Sequence, residues 1–146
     1  MEQQLKAKVL LVDDEEDFVA NLSKRLEMRG LKVTAATRGA DAVNLADDIQ
    51  FDAIILDLAM PGMDGLETLR RIREHNPDAE IIMLTGHASI KSSIEAMKLG
   101  AEDYLEKPVD IGELLKKISE AREKRILILQ KQSKAEIEEI LKSKAW

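Results

Sequence analysis

Five side chains able to do chemistry stand directly after short apolar runs: Asp13 and Asp14 after KVLLV at 8–12, Asp57 after AIIL at 53–56, Thr85 after EIIML at 80–84, and Lys107 after DYLE at 103–106. If the runs are parallel strands, all five lie at the edge formed by strand C-termini, where ligands bind in open α/β sheets. Neighbouring strands are about 4.8 Å apart, so Asp13, Asp14 and Asp57 can face one small volume. Carboxylates about 4 Å apart repel by about 4 kcal/mol per pair at an effective dielectric of about 20. Either a proton is retained there or a cation sits among them. A hard divalent ion such as Mg²⁺ meets the need, since carboxylates, a main-chain carbonyl and water make the octahedral oxygen shell it demands. Any one acid after a strand could equally cap the next helix, and Glu15, Glu16, Asp17 and Asp64 are read that way. The set of three is what points to a pocket.

Thr85 and Lys107 add what the acids lack. A threonine hydroxyl can donate to an anionic oxygen, and a lysine ammonium can reach either a phosphate oxygen or a carboxylate. In a sheet ordered 1-3-4-5, Lys107 starts two strands from Asp57, roughly 9.6 Å away, a gap that only a long cationic side chain spans.

The elements that must carry these residues follow from periodicity. The first, third and fourth runs are almost uninterrupted apolar residues, as in strands covered on both faces, and LKVTAA at 31–36 supplies another strand. Between the runs, Phe18, Leu22 and Leu26 stripe a helix that stops at Gly30. Ala40, Val43 and Ala46 mark a second helix, and Leu66, Leu69 and Ile72 a third that ends before Pro77. Ile90, Ile94 and Met97 mark a fourth closing at Gly100, and Asp110 N-caps a fifth with Ile111, Leu114, Leu115 and Ile118 inward. Five βα units with right-handed crossovers predict a flavodoxin-like doubly wound parallel sheet of five strands, in order 2-1-3-4-5. From Lys116 to Trp146 there is neither Pro nor Gly, so the last helix should extend. Steps of three and four run through Leu115, Ile118, Ile126, Leu129, Ile137 and Ile140 but are broken by Arg122 and Ser133, which leaves pairing of that helix open.

Length and composition set the bounds. With 146 residues, 45% hydrophobic, the chain has room for one compact domain. It has no Cys, which excludes disulfides, thiolate zinc sites and cysteine nucleophiles. No segment approaches 18 apolar residues, and the start runs into acidic residues without a signal-peptide cleavage pattern, so a soluble, cytoplasmic protein with no membrane partner is expected. The net charge of −6 is uneven: residues 1–115 hold 13 basic and 23 acidic side chains, residues 116–146 hold 9 and 5. An acidic body with 3% aromatics argues against direct nucleic-acid binding.

Together, LVDDEED, DLAMPGMDG, MLTGH and YLEKP resemble the receiver domain of bacterial two-component response regulators, the CheY-like family, over about residues 6–120, with 121–146 as a helical extension or the start of a linker. The resemblance implies transfer of a phosphoryl group from a phosphohistidine of a sensor histidine kinase, or from a phosphotransfer protein, to Asp57. It implies a Mg²⁺ site of Asp13, Asp14, Asp57 and the main-chain carbonyl of Ala59, with Lys107 and Thr85 binding phosphoryl oxygens. Thr85 and Tyr104 become the switch residues that alter the helix 4, strand 5, helix 5 face, the aromatic turning inward as the threonine moves. Ala59, Gly86, His87 and Pro108 form the pocket rim, and the Lys107–Pro108 bond is expected to be cis. A homodimer through that face or the C-terminal helix is a further expectation. Such a protein is a regulator rather than an enzyme, catalysing only its own phosphoryl transfer and slow autodephosphorylation.

Two rivals use the same residues. A haloacid-dehalogenase-type phosphohydrolase also uses a strand-end aspartate nucleophile, but wants a second acid two residues on, where this chain has Ala59. A receiver-shaped interaction module that is never phosphorylated would have no need of the full pocket set. Nucleotide binding lacks both G-x-G-x-x-G and a P-loop after the first strand.

Overall fold

The computed structural model describes residues 6–58, 64–86 and 90–143. Ten elements alternate along the chain: β1 (Lys8–Val12), α1 (Glu16–Glu27), β2 (Lys32–Ala36), α2 (Gly39–Asp48), β3 (Ala53–Leu56), α3 (Gly65–His75), β4 (Ile81–Thr85), α4 (Ile90–Lys98), β5 (Asp103–Glu106) and α5 (Ile111–Ser143). The strands form one parallel sheet in the order β2-β1-β3-β4-β5, the doubly wound order expected.

The apolar runs are uninterrupted because both faces of the sheet are covered. Leu10, Val12, Ile54, Leu56, Ile81 and Met83 pack with Ala42, Val43, Leu69, Ile72 and Ala96 from α2, α3 and α4. Their alternates Val9, Leu11, Ile55, Ile82 and Leu84 pack with Val19, Leu22, Leu26, Leu114 and Ile118 from α1 and α5. The two-residue period of a strand therefore divides one run between two cores.

The breaks fall where the sequence places them. Gly30 and Gly100 have φ of 89° and 104°, the left-handed region open to glycine. Each closes its helix with a paired motif: Gly30 N–H to Glu27 O and Leu31 N–H to Leu26 O, then Gly100 N–H to Met97 O and Ala101 N–H to Ala96 O. The Asp110 carboxylate accepts from Gly112 N–H at 3.0 Å and caps α5 as expected.

Two helices turn differently from their periodicity. In α4 the buried residue is Ala96, while Ile94 and Met97 are about half exposed, at 49% and 47%. In α2, Ala42 rather than Ala40 joins Val43 and Ala46 in the core. In α4, apolar on two sides, packing chooses the smaller face, and Ala96 permits the closer approach to the sheet; in α2 both candidates are alanine and size does not decide.

Helix α5 runs unbroken for 33 residues, about 50 Å. Its first half is buried through Leu114, Ile118 and Ala121. Beyond them Lys124 bonds Glu102 at 2.7 Å, Arg125 bonds Gln50 at 2.5 Å and Asp52 at 3.3 Å, and Gln132 bonds Asp78 at 3.1 Å. Farther out, Ile137, Ile140 and Leu141 are exposed. No described helix is long and apolar enough to cross a membrane.

Candidate functional site

Main-chain ladders continue past the strand ends and place the chemistry. Asp13 N–H donates to Ala36 O at 3.1 Å, Asp57 N–H to Val12 O at 2.9 Å, and Lys107 N–H to Thr85 O at 3.0 Å. The sheet's hydrogen bonding thus fixes the backbone under each functional side chain. Carboxylate oxygens of Asp13, Asp14 and Asp57 lie within 4.8 Å of one another. Asp13 and Asp57 are buried, 1% and 4% exposed, and Asp14 is more open.

Lys107 reaches into this cluster. Its Nζ lies 2.6 Å from Asp13 Oδ2, 3.3 Å from Glu15 Oε1 and 3.9 Å from Asp57 Oδ2. Burial alone would depress the lysine, but the Asp13 hydrogen bond and the charges of Asp13 and Asp57, with Glu15 adding to them, hold its pKa above the ordinary value. One ammonium faces four carboxylates, counting Glu15, so the pocket stays strongly negative. Oxygen donors converging with surplus negative charge fit a hard divalent cation such as Mg²⁺. Asp13, Asp14 and Asp57 are the side chains that would hold it.

Thr85 is the last residue of β4 and is fully buried, one strand from Asp57. Gly86 follows it at the surface, and a Cβ there would rest 3.8 Å from Lys107 Cβ and Cδ. Pro108 follows Lys107 through a cis bond, as expected. Ala59 and His87 lie outside the described residues. Tyr104 faces inward and packs on the core beside α4, its hydroxyl shut off from solvent. Burial pushes the phenol's pKa up; Ser93 acts against this, and the charges of Glu106 and Asp57 add to it.

Three contributors escape a reading by spacing. Gly65, the first residue of α3, is pressed against the Asp57 peptide: a Cβ would stand 2.1 Å from Asp57 O and 2.4 Å from Leu58 Cα. Only glycine allows α3 to start so close beneath the acid. Glu15 is at the N-cap position of α1 but makes no side-chain capping bond, its carboxylate turning to Lys107 instead. Phe18 sets its ring under the same ammonium, 4.1 Å from centroid to Nζ. Asp64, by contrast, caps α3 as read, accepting from Glu67 N–H at 2.8 Å.

Comparison with known proteins agrees with this geometry. The response regulator receiver domain model matches residues 9–119. The regulatory protein AtoC of Escherichia coli is 36% identical over 107 residues, which cover 73% of this chain and 23% of AtoC. This chain spans about a quarter to a half of the length of curated relatives that it matches. A receiver domain from Clostridium thermocellum superposes with a TM-score of 0.79 at 34% identity, covering 84% of this chain and 98% of that one. A response regulator from Burkholderia pseudomallei, solved with a phosphorylated aspartic acid, a calcium ion and citrate, gives 0.73 at 34% identity, covering 88% and 74%.

Proposed function

The chain belongs to the response regulator receiver domain family, and from that membership we propose that it is a cytoplasmic signalling domain that accepts a phosphoryl group on Asp57 in a Mg²⁺-dependent reaction. The donor is the phosphohistidine of a sensor histidine kinase or a phosphotransfer protein. A carboxylate oxygen of Asp57 attacks phosphorus in line, the P–N bond breaks with its electron pair returning to the imidazole, and an acyl phosphate forms. Lys107, 3.9 Å from Asp57 in the same pocket, counters charge on the equatorial oxygens, and the Thr85 hydroxyl donates to another. Asp13, Asp14 and Asp57 would hold Mg²⁺, which would supply further positive charge to the transferring group, and the family resemblance adds the main-chain carbonyl of Ala59, which lies outside the described residues. Gly86 and Pro108 line the rim of the pocket, and the domain turns over no external substrate beyond its own formation and slow hydrolysis of the acyl phosphate.

The observation that carries this reading is the convergence of three strand-end carboxylates and one partly buried ammonium within a few ångströms. Acetyl phosphate should label the chain with Mg²⁺ and fail to label it in excess chelator. Equal labelling with and without chelator contradicts the metal assignment.

Output runs through Thr85 and Tyr104 to the α4, β5, α5 face, where Ile94 and Met97 are exposed. Residues 6–120 act as the receiver unit, with 121–146 as its extension. The partner of that extension is a second copy of this chain. Ile126 and Ile137, and likewise Leu129 and Ile140, are each about three turns apart, so all four lie along one side of the exposed part of α5. Sedimentation should shift toward dimer with a phosphoryl mimic, and identical profiles with and without it speak against pairing.

A further inference from the structure

We infer that Phe18 is a positioning residue for Lys107, its ring face fixing the height at which the ammonium stands beside Asp57; this deepens the phosphoacceptor reading and rests on it. The lysine has few fixed contacts among the described residues on its Gly86 side. It passes Gly86, which has no side chain, and a Cβ there would rest in ordinary contact with the stem at 3.8 Å. At its tip the ammonium is pulled by Asp13 at 2.6 Å, by the exposed Glu15 at 3.3 Å and more weakly by Asp57 at 3.9 Å. Three carboxylates thus compete for one ammonium, which, unlike a guanidinium, has no fixed fork to choose among them.

The Phe18 ring supplies the missing constraint. Its centroid is 4.1 Å from Nζ, well inside the range of about 6 Å over which a ring quadrupole attracts a cation. The ring is anchored from behind, because Phe18 packs against the core cluster that contains Leu22 and Leu26 of the same helix. A rigid apolar platform under the charge also keeps water from that side. A phosphoryl group arriving at Asp57 therefore meets a cation already in place, and preorganised charge is what accelerates phosphoryl transfer. The bland alternative is that Phe18 only fills the core.

Four variants of the full chain separate the two: Phe18→Leu keeps apolar bulk without the ring face, Phe18→Tyr keeps the face, Lys107→Ala removes the cation, and the fourth combines Phe18→Leu with Lys107→Ala. Phe18→Leu should slow Mg²⁺-dependent labelling by acetyl phosphate roughly threefold to tenfold, and Phe18→Tyr should stay within about twofold of wild type. On the Lys107→Ala background, Phe18→Leu should add nothing. The Lys107 ε-methylene protons should carry an upfield ring-current shift in the wild type that Phe18→Leu abolishes. An equal slowing on the Lys107→Ala background assigns the effect to packing and overturns the inference, as does an ε resonance that Phe18→Leu leaves unmoved. If the wild type takes no label, the phosphoacceptor reading fails, and the order of the Lys107 ε-methylene in NMR relaxation still decides the role of Phe18: an order that Phe18→Leu leaves unchanged overturns it.

Discussion

The two ends of the same sheet bury carboxylates in opposite ways. At the C-terminal edge, Asp13 and Asp57 are buried with the Lys107 ammonium drawn in among them, only 13% of its side chain exposed. At the N-terminal edge, Glu80 is 2% exposed just before β4, but its nearest cation, Lys124 on α5, stands half in solvent with Nζ 3.8 Å away and closer to Glu102 at 2.7 Å. Burial there, with the charge and hydrogen bond of Glu102, pushes Glu80 up to about 7 against the pull of Lys124 and Arg73. Arg73 is otherwise engaged, its guanidinium donating to the carbonyls of Gly100 and Pro77. An inserted cation counters the charge of the buried acids from within; a buried acid whose cation stays outside is pushed up toward neutral pH. Reach is the same at the two ends; the difference is where the ammonium sits, the Lys107 side chain being 13% exposed and that of Lys124 52%.

The largest break in this contrast comes from crowding the acid end. Gly65→Ala drives a methyl into the Asp57 peptide, and a loss of about 3 kcal/mol is expected in chemical denaturation, with Asp57 labelling impaired. Lys107→Met leaves Asp13 and Asp57 without their inserted cation, and about 3 kcal/mol should be lost in chelator. Added Mg²⁺ should raise the Tm of that variant more than that of the wild type; an equal rise shows that lysine and metal do not share the same negative field. At the other end the sign follows from the raised acid. Folded Glu80 holds its proton to about 7 against an ordinary 4.5, so its contribution is full below 4.5 and is lost as pH rises through about 7. Tm should fall across that window, and Glu80→Gln should flatten the fall; an unchanged slope in Glu80→Gln assigns it to other groups. Smallest is Glu67→Ala on the surface of α3. There, hydrogen bonds from Arg70 and then Arg71 bring the glutamate down to about 2, yet the pairs are open to water and salt, and stability should barely move.

Strand order, helix ends and the meeting of Asp13, Asp57 and Lys107 were legible in the sequence, because each depends on local rules: apolar runs, glycine stops and parallel connections that bring all strand ends to one edge. Less legible were properties set by what packs opposite. Glu80 reads as the polar start of a strand, and nothing in its spacing says that α5 covers it. Ile94 and Met97 have helical spacing, but α4 buries Ala96 because the sheet accepts the smaller face. Phe18 reads as a core stripe, which it is, and its second face toward Lys107 appears only when the lysine side chain is followed from the end of β5 back across the sheet edge toward β1. Glu15 reads as a cap, yet a cation in reach wins its carboxylate. Register and cross-element neighbours decide these cases, and they lie outside any window of adjacent residues.

The central claim is that Asp57 is the acceptor. Intact-mass measurement after incubation with acetyl phosphate and Mg²⁺ should show one phosphoryl adduct on the wild-type chain and none on Asp57→Asn. An undiminished adduct on Asp57→Asn would place the phosphoryl group on another residue and contradict the account.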